Sequence, residues 1–174
     1  MMVATFLWIK NHPPIVDEIG IHYFIKKIIS HPLDLKASFG DKTQPYATLP
    51  TYHFLIAGIA KITNVTTLSG LRGYSFIFGL ISIFAFLISA RKLDPDFYDI
   101  RTVQYCFFPI LFPYFFLLYT DVTSLLFILL MLYGFLRESY LWTGLFGIAG
   151  MLIRQNNIVW LTPNRFVTGD PSES

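Results

Sequence analysis

The sequence predicts an all-α protein, a polytopic transmembrane helical bundle, for three reasons. Apolar residues make up 54% of the 174 residues and charged residues only 14%, against about 25% charged residues in typical soluble domains. Uncharged runs of the length that a membrane-spanning helix needs recur from residue 73 onwards. Lys and Arg residues fall between these runs, where cytoplasmic turns would carry them.

Four uncharged runs are predicted to cross the membrane. They are residues 73–90, 102–120, 122–136 and 139–153. The two shorter runs can cross a thin bilayer if the long side chains at their ends reach the interface. Pro109 and Pro113 are expected to kink the second run. Residues 1–9 are apolar but too short to cross, and we interpret them as the end of an earlier span rather than as a signal peptide.

The orientation of these spans follows from their basic residues. Counting the spans forward places four basic residues in turns on one side, which the positive-inside rule makes cytoplasmic: Arg91, Lys92, Arg101 and Arg137. The same count places Asp17, Asp121 and Arg154 together on the opposite, lumenal side.

A polar loop extends from residue 10 to residue 50 on the predicted lumenal side. Residues 19–29 predict a short amphipathic helix that lies on the membrane. Residues 52–60 are apolar but too short to cross, and they predict a second juxtamembrane helix on the same side. Asn64-Val65-Thr66 is a glycosylation sequon that would agree with a lumenal location, although chance explains a three-residue match equally well.

Composition also excludes several classes of function. A net charge of +2 gives no reason to expect a nucleic-acid partner. The single cysteine, Cys106, allows no intrachain disulfide and no thiolate metal cluster, and the histidines are scattered without a metal-binding motif, so we predict no metal and no cofactor. The sequence has no internal repeat, and it predicts one membrane domain (residues 1–161) followed by a polar tail (residues 162–174).

Two adjacent carboxylates, Asp17 and Glu18, begin the polar loop after Pro13-Pro14. A carboxylate at a bilayer surface meets both water and a lipid-borne substrate, and it can take a proton from an acceptor hydroxyl. Neighbours on a helix point about 100° apart, so one acid can act while the other orients it. The alternative is that both acids only solvate a loop. His22 ends this stretch and is taken as a candidate for substrate binding.

Further charged residues lie at or within the apolar runs. An acid such as Asp121 costs about 2.5 to 3.5 kcal/mol at the bilayer centre and less near the interface, which favours a catalytic role over a snorkelled helix-end acid. Arg154 interrupts an apolar run together with Gln155 and Asn157, a pattern typical of a phosphate site in a membrane enzyme. Arg72 either contributes to substrate binding or marks the interface.

Several short motifs occur in the order that one family shows. They are Asp17-Glu18-Ile19, Thr48-Leu49-Pro50, Leu71-Arg72, Tyr119-Thr120-Asp121, Phe146-Gly147 and, as the most specific, Arg154-Gln155-Asn156-Asn157-Ile158-Val159-Trp160. Over residues 13–161 the chain resembles the N-terminal part of the dolichyl-phosphate-glucose-dependent alpha-1,2-glucosyltransferases. These enzymes add the last glucose to the lipid-linked oligosaccharide used for N-glycosylation.

The resemblance implies a GT-C type fold in the endoplasmic reticulum membrane, with several spans and a lumenal active site. It implies a metal-independent, inverting transfer, with Asp17 as the acid of the first loop. The partners it implies are dolichyl-phosphate-glucose, the lipid-linked oligosaccharide and membrane lipid. The sequence departs from the family pattern at residues 21–26, where Ile-His-Tyr-Phe-Ile-Lys replaces a His-x-Pro-Gln-Ala-Gln run.

Two other interpretations stay open at this point. One is a different membrane glycosyltransferase that uses a polyprenyl-phosphate sugar. The other is a non-catalytic membrane subunit or a small transporter. A transporter would predict inverted repeats around a midplane site, and the sequence shows no repeat.

Overall fold

The structure, a computed structural model, describes residues 1–31 and 51–157. Within these two ranges it contains only helices: α1 (Met2–Ile9), α2 (Val16–Ser30), α3 (Thr51–Thr63), α4 (Leu68–Leu93), α5 (Tyr98–Cys106), α6 (Thr120–Leu136) and α7 (Tyr140–Ile153), with 3₁₀ turns at Phe112–Phe115 and Gln155–Asn157. The prediction of an all-α fold is confirmed for this part of the chain. The Thr48-Leu49-Pro50 motif, residues 158–160 and the polar tail lie outside the described residues, and the GT-C arrangement stays a prediction.

Helix α4 is the longest helix in the described part of the chain. Among the described residues, it alone is long and apolar enough to cross a membrane, with 26 residues and an 18-residue stretch whose mean hydropathy is 2.0. At about 1.5 Å per residue it extends roughly 39 Å, more than the hydrocarbon thickness of a bilayer. The Thr67 hydroxyl begins the helix by accepting a hydrogen bond from the Gly70 N–H at 3.3 Å. The span predicted at residues 73–90 is therefore confirmed as a membrane-spanning candidate.

The prediction of one continuous span over residues 102–120 is wrong. Helix α5 ends at Cys106, a 3₁₀ turn follows at Phe112–Phe115, and the next helix begins only at Thr120. Pro109 and Pro113 lie in this break, and each lacks the N–H that a continuing helix needs and crowds the preceding turn. The two prolines therefore stop the helix, where the sequence predicted only a kink.

The broken segment nevertheless returns along α4. The Tyr105 hydroxyl donates to Ser82 Oγ at 3.0 Å, and the Phe115 ring lies so close to Gly79 that a Cβ there would be 2.6 Å from Phe115 Cδ1. Farther along, the Leu118 N–H donates to Glu18, which pairs with Arg72 near the start of α4. The segment thus covers the length of α4 without being one helix.

Charged residues collect at the two ends of this bundle. At the end of α4, Lys92 donates to the Leu136 carbonyl at 3.0 Å, and Arg101 pairs with Asp94. The acidic residues Glu18 and Asp121 lie at the opposite end, paired with arginines. This separation agrees with the predicted orientation, and the assignment of one end to the lumen stays a prediction.

The predicted juxtamembrane helices form, but α3 does not only lie on a surface. Helices α2 and α3 pack together near the start of α4, and five residues of α3 are buried: Tyr52, His53, Ile56, Ala57 and Ala60. Ile25 and Ile28 of α2 join them in one apolar cluster. Leu71 of α4 belongs to the same cluster, which therefore holds the second half of α2 and helix α3 against α4.

Candidate active site

The first turn of α2 presents its two carboxylates in different directions. Ile15 is extended, and its N–H donates to Glu18 Oε2 at 3.1 Å, so the chain enters α2 in one defined conformation. Asp17 is exposed, whereas the Glu18 side chain is completely buried. The divergence expected from helical spacing is therefore observed, and only Asp17 is open to a substrate.

Glu18 and Arg72 form a fully buried ion pair. Arg72 Nη2 donates to Glu18 Oε2 at 2.6 Å, and Arg72 Nε donates to Oε1 at 3.0 Å. The other guanidinium donors bond the backbone where α1 leads into α2, at the carbonyl oxygens of Ile9 (2.9 Å), Lys10 (3.3 Å), His12 (2.8 Å) and Pro13 (3.4 Å). A buried arginine with its donors engaged in this way has none to offer a substrate. The predicted roles of Arg72 in substrate binding and of Glu18 in catalysis do not fit this geometry.

Glu18 is held in its charged form. Burial by itself would raise the pKa of the carboxyl. The hydrogen bonds from Arg72 and from the N–H groups of Leu118 and Ile15, together with the Arg72 charge, outweigh burial and leave the pKa below its ordinary value. The buried site therefore carries a carboxylate matched by a guanidinium.

Asp17 has a hydrogen-bond partner that lies 102 residues away in the sequence. The Tyr119 hydroxyl donates to Asp17 Oδ2 at 3.2 Å, and the Tyr119 ring packs edge-on against Tyr114 at a centroid distance of 5.2 Å. Tyr119 is not among the residues predicted from the sequence to form the site, although it begins the Tyr119-Thr120-Asp121 motif. The signal that could have found it is its position two residues before Asp121, at the start of an apolar run.

Asp121 and Arg154 meet in a polar recess at the same end of the bundle. They form an ion pair in which both side chains stay partly exposed. The recess has a volume of about 310 Å³, and its polar lining is Asp121, Ser124, Arg154, Asn156 and Asn157. The sequence placed Asp121 and Arg154 on one side of the membrane but did not predict that they pair.

The other predicted binding residues take different positions. Asn157 is buried, and its amide donates to Ser124 Oγ and to the Gly150 carbonyl, both at 2.7 Å, so it holds the turn after α7. Gln155 is exposed and does not line the recess. His22 contacts the Thr66 carbonyl oxygen through Nε2 at 3.2 Å, which ties α2 to the connection between α3 and α4.

Tyr52 is a buried residue of α3 whose hydroxyl contacts α4. Its buried hydroxyl lies 3.3 Å from Ser75 Oγ. Burial raises the pKa of this phenol, and the charges of Glu18 and Asp121 raise it further, so the pKa of Tyr52 depends on both acids.

No group of three or more His, Cys, Asp or Glu residues that could hold a metal ion occurs within residues 1–31 and 51–157.

Comparison with known proteins assigns the family. A profile of the DIE2/ALG10 family matches residues 41–169, which is 129 of the 174 residues. The chain belongs to the DIE2/ALG10 family. The match includes Arg72, Asp121 and Arg154, whereas Asp17 precedes it. No curated protein and no solved structure matches the chain significantly.

Membership of the DIE2/ALG10 family confirms the family that the sequence motifs predicted. It makes the chain a glycosyltransferase-like membrane protein, in agreement with the membrane-spanning candidate α4. The sugar donor, the linkage and the acceptor are finer assignments than the family gives.

Proposed function

We propose that the chain transfers glucose from dolichyl-phosphate-glucose to the lipid-linked oligosaccharide, forming an alpha-1,2 linkage in the endoplasmic reticulum membrane. The observation that carries this proposal is the placement of an exposed carboxylate, Asp17, at the same end of the bundle as a cation in a polar recess, Arg154. Family membership supports the reaction class. The motif resemblance supports the donor and the acceptor.

Asp17 is the general base in this proposal. The acceptor hydroxyl attacks C1 of glucose, its proton passes to the Asp17 carboxylate, and the bond from C1 to the phosphate oxygen breaks. The electron pair of that bond leaves with dolichyl phosphate, which is a stable anion and needs no acid. One exposed carboxylate is therefore enough for an inverting transfer, and a second acid at Glu18 is not required.

In this proposal Arg154 binds the phosphate of dolichyl-phosphate-glucose. A guanidinium offers a planar pair of donors that suits phosphate oxygens, and Arg154 is open enough to accept a new partner. Asp121 occupies that guanidinium in the structure, so we assign Asp121 as its counter-ion and not as a catalytic acid. The Asn156 amide and the Ser124 hydroxyl line the recess and are placed to bond further oxygens.

Four other predicted residues have structural roles in this proposal: Glu18, Arg72, Asn157 and His22. Glu18 and Arg72 hold the backbone that leads to Asp17, and Asn157 holds the turn that carries Arg154 and Asn156. His22 ties α2 to the connection between α3 and α4. Their proposed roles are therefore structural, in contrast to the direct contacts expected from the sequence.

The test of the phosphate role is the Michaelis constant for the donor in microsomes from cells that express the chain and lack a competing activity. Arg154→Ala is expected to raise this constant about 10- to 100-fold, the value of one to two charged hydrogen bonds, and Arg154→Lys is expected to raise it less. Arg101→Ala is the matched control, because Arg101 forms a similarly exposed pair with Asp94 at the other end of the bundle. An unchanged constant in Arg154→Ala would contradict the phosphate role.

A further inference from the structure

The Glu18 carboxylate joins parts of the chain that are far apart in sequence. Its Oε1 accepts the Leu118 N–H at 2.8 Å, across 100 residues, and Arg72 Nε at 3.0 Å. Its Oε2 accepts the Ile15 N–H at 3.1 Å and Arg72 Nη2 at 2.6 Å. One buried side chain therefore ties the start of α2 and the end of the broken segment to α4.

The backbone at Leu118 needs this partner because it lies outside a regular helix. The 3₁₀ turn ends at Phe115, and Tyr119 is extended, with φ −131° and ψ 157°, before α6 begins. Leu118 is completely buried, so an unbonded N–H there would be costly. Glu18 supplies the acceptor and thereby fixes the residue directly before Tyr119.

Tyr119 is held on both sides. Its N–H donates to the Leu117 carbonyl at 3.0 Å, and its ring packs against Tyr114. Its hydroxyl then reaches Asp17 Oδ2 at 3.2 Å. The orientation of the exposed Asp17 carboxylate is thus set by a tyrosine whose own position depends on Glu18.

We propose that Glu18, Arg72 and Tyr119 form a positioning relay for Asp17. Arg72 holds Glu18, Glu18 holds the backbone at Leu118, and Tyr119 selects one orientation of the Asp17 carboxylate. The inference rests on the proposed function, in which Asp17 takes the proton of the acceptor. An exposed side chain at a helix start has several rotamers, and a misplacement of about 1 Å costs a reaction on the order of 100-fold.

Tyr119→Phe tests the last step of the relay, because it removes the hydroxyl and keeps the ring. We expect kcat for glucose transfer to fall about 10-fold, the value of a hydrogen bond to a charged group. The Michaelis constant for the donor is expected to stay unchanged, because Tyr119 does not line the recess of Arg154. The melting temperature is also expected to stay unchanged, because the hydrogen bond to Asp17 is exposed. Tyr114→Phe is the matched control and is expected to leave kcat unchanged.

A merely structural role for Tyr119 would lower the melting temperature and leave kcat of the folded enzyme intact, and this result would overturn the relay. The link to Glu18 is tested by combining Glu18→Gln with Tyr119→Phe. If Glu18 acts through Tyr119, the losses in kcat do not multiply, whereas multiplied losses would overturn that link. If Glu18→Gln does not fold, the comparison of Tyr119→Phe with Tyr114→Phe decides alone.

The same measurements separate the relay from the proposed function. Loss of transfer in Asp17→Asn with normal kcat in Tyr119→Phe would overturn the relay and keep the proposed function. Normal transfer in both variants would overturn the proposed function itself.

Discussion

Replacing Arg72 by methionine is expected to destabilise the fold strongly. Methionine fills part of the space of the arginine stem but donates no hydrogen bond, so the buried Glu18 carboxylate loses its cation. The backbone carbonyl oxygens between α1 and α2 lose their donor as well. Removing one partner of a buried ion pair typically costs about 3 to 5 kcal/mol of unfolding free energy. At about 2 to 4 °C per kcal/mol for a chain of this size, the melting temperature should fall by roughly 6 to 20 °C.

Thermal unfolding of the purified protein in detergent measures this effect. Arg154→Met is the matched control, because the Arg154 and Asp121 side chains are 41% and 28% exposed. Pairs exposed to this degree contribute up to about 1 kcal/mol, so the control should melt within about 4 °C of the wild type. Adding Glu18→Gln to Arg72→Met should recover part of the loss, because no unpaired charge then stays buried. Equal, small shifts for Arg72→Met and Arg154→Met would refute this reasoning.

Two further predictions concern acid sensitivity and orientation. Burial lowers the pKa of His53 from 6.5 to about 4, so the unfolded chain binds the proton first as pH falls. The stability that depends on neutral His53 is therefore complete above pH 6.5 and is lost between pH 6.5 and 4, by about 3 kcal/mol at 1.36 kcal/mol per unit. Melting curves across this range should show a smaller loss for His53→Phe, and an equal loss would refute the assignment. The orientation is tested by introducing single cysteines into a chain in which Cys106 is replaced by alanine. A cysteine at the exposed position of Asn64 should react with an impermeant reagent only from the lumen, and one at the exposed position of Glu138 only from the cytoplasm. The reverse result would mean that the topology is inverted.

Local sequence properties predicted the helices well and the broken segment poorly. Helices α4, α6 and α7 follow uncharged runs that end at charged residues, and this signal needs no knowledge of the neighbours. The run 102–120 satisfies the same criteria of charge and length. Its two prolines can either kink a helix or end it, and hydropathy does not report which of the two occurs.

The two ion pairs of the candidate site also could not be fully predicted from local sequence properties. Asp121 and Arg154 were placed on one side because two consecutive spans return the chain to the same end, and their pairing follows from the antiparallel packing of α6 and α7. The pair of Glu18 and Arg72 joins residues 54 apart in elements that no local pattern relates. The sequence therefore leaves open whether Arg72 binds substrate or marks the interface, whereas the fold buries it.

The transfer activity of Asp17→Asn tests the proposed function most directly. The amide keeps the shape of the side chain and loses the ability to accept a proton, so glucose transfer from dolichyl-phosphate-glucose to the lipid-linked oligosaccharide should fall by about 10² to 10⁴. Asp121→Asn, which removes only the proposed counter-ion of Arg154, should lose less. Transfer is measured in microsomes that contain equal amounts of each variant. Near-normal transfer by Asp17→Asn, with Asp121→Asn inactive, would contradict the assignment and move the base to Asp121.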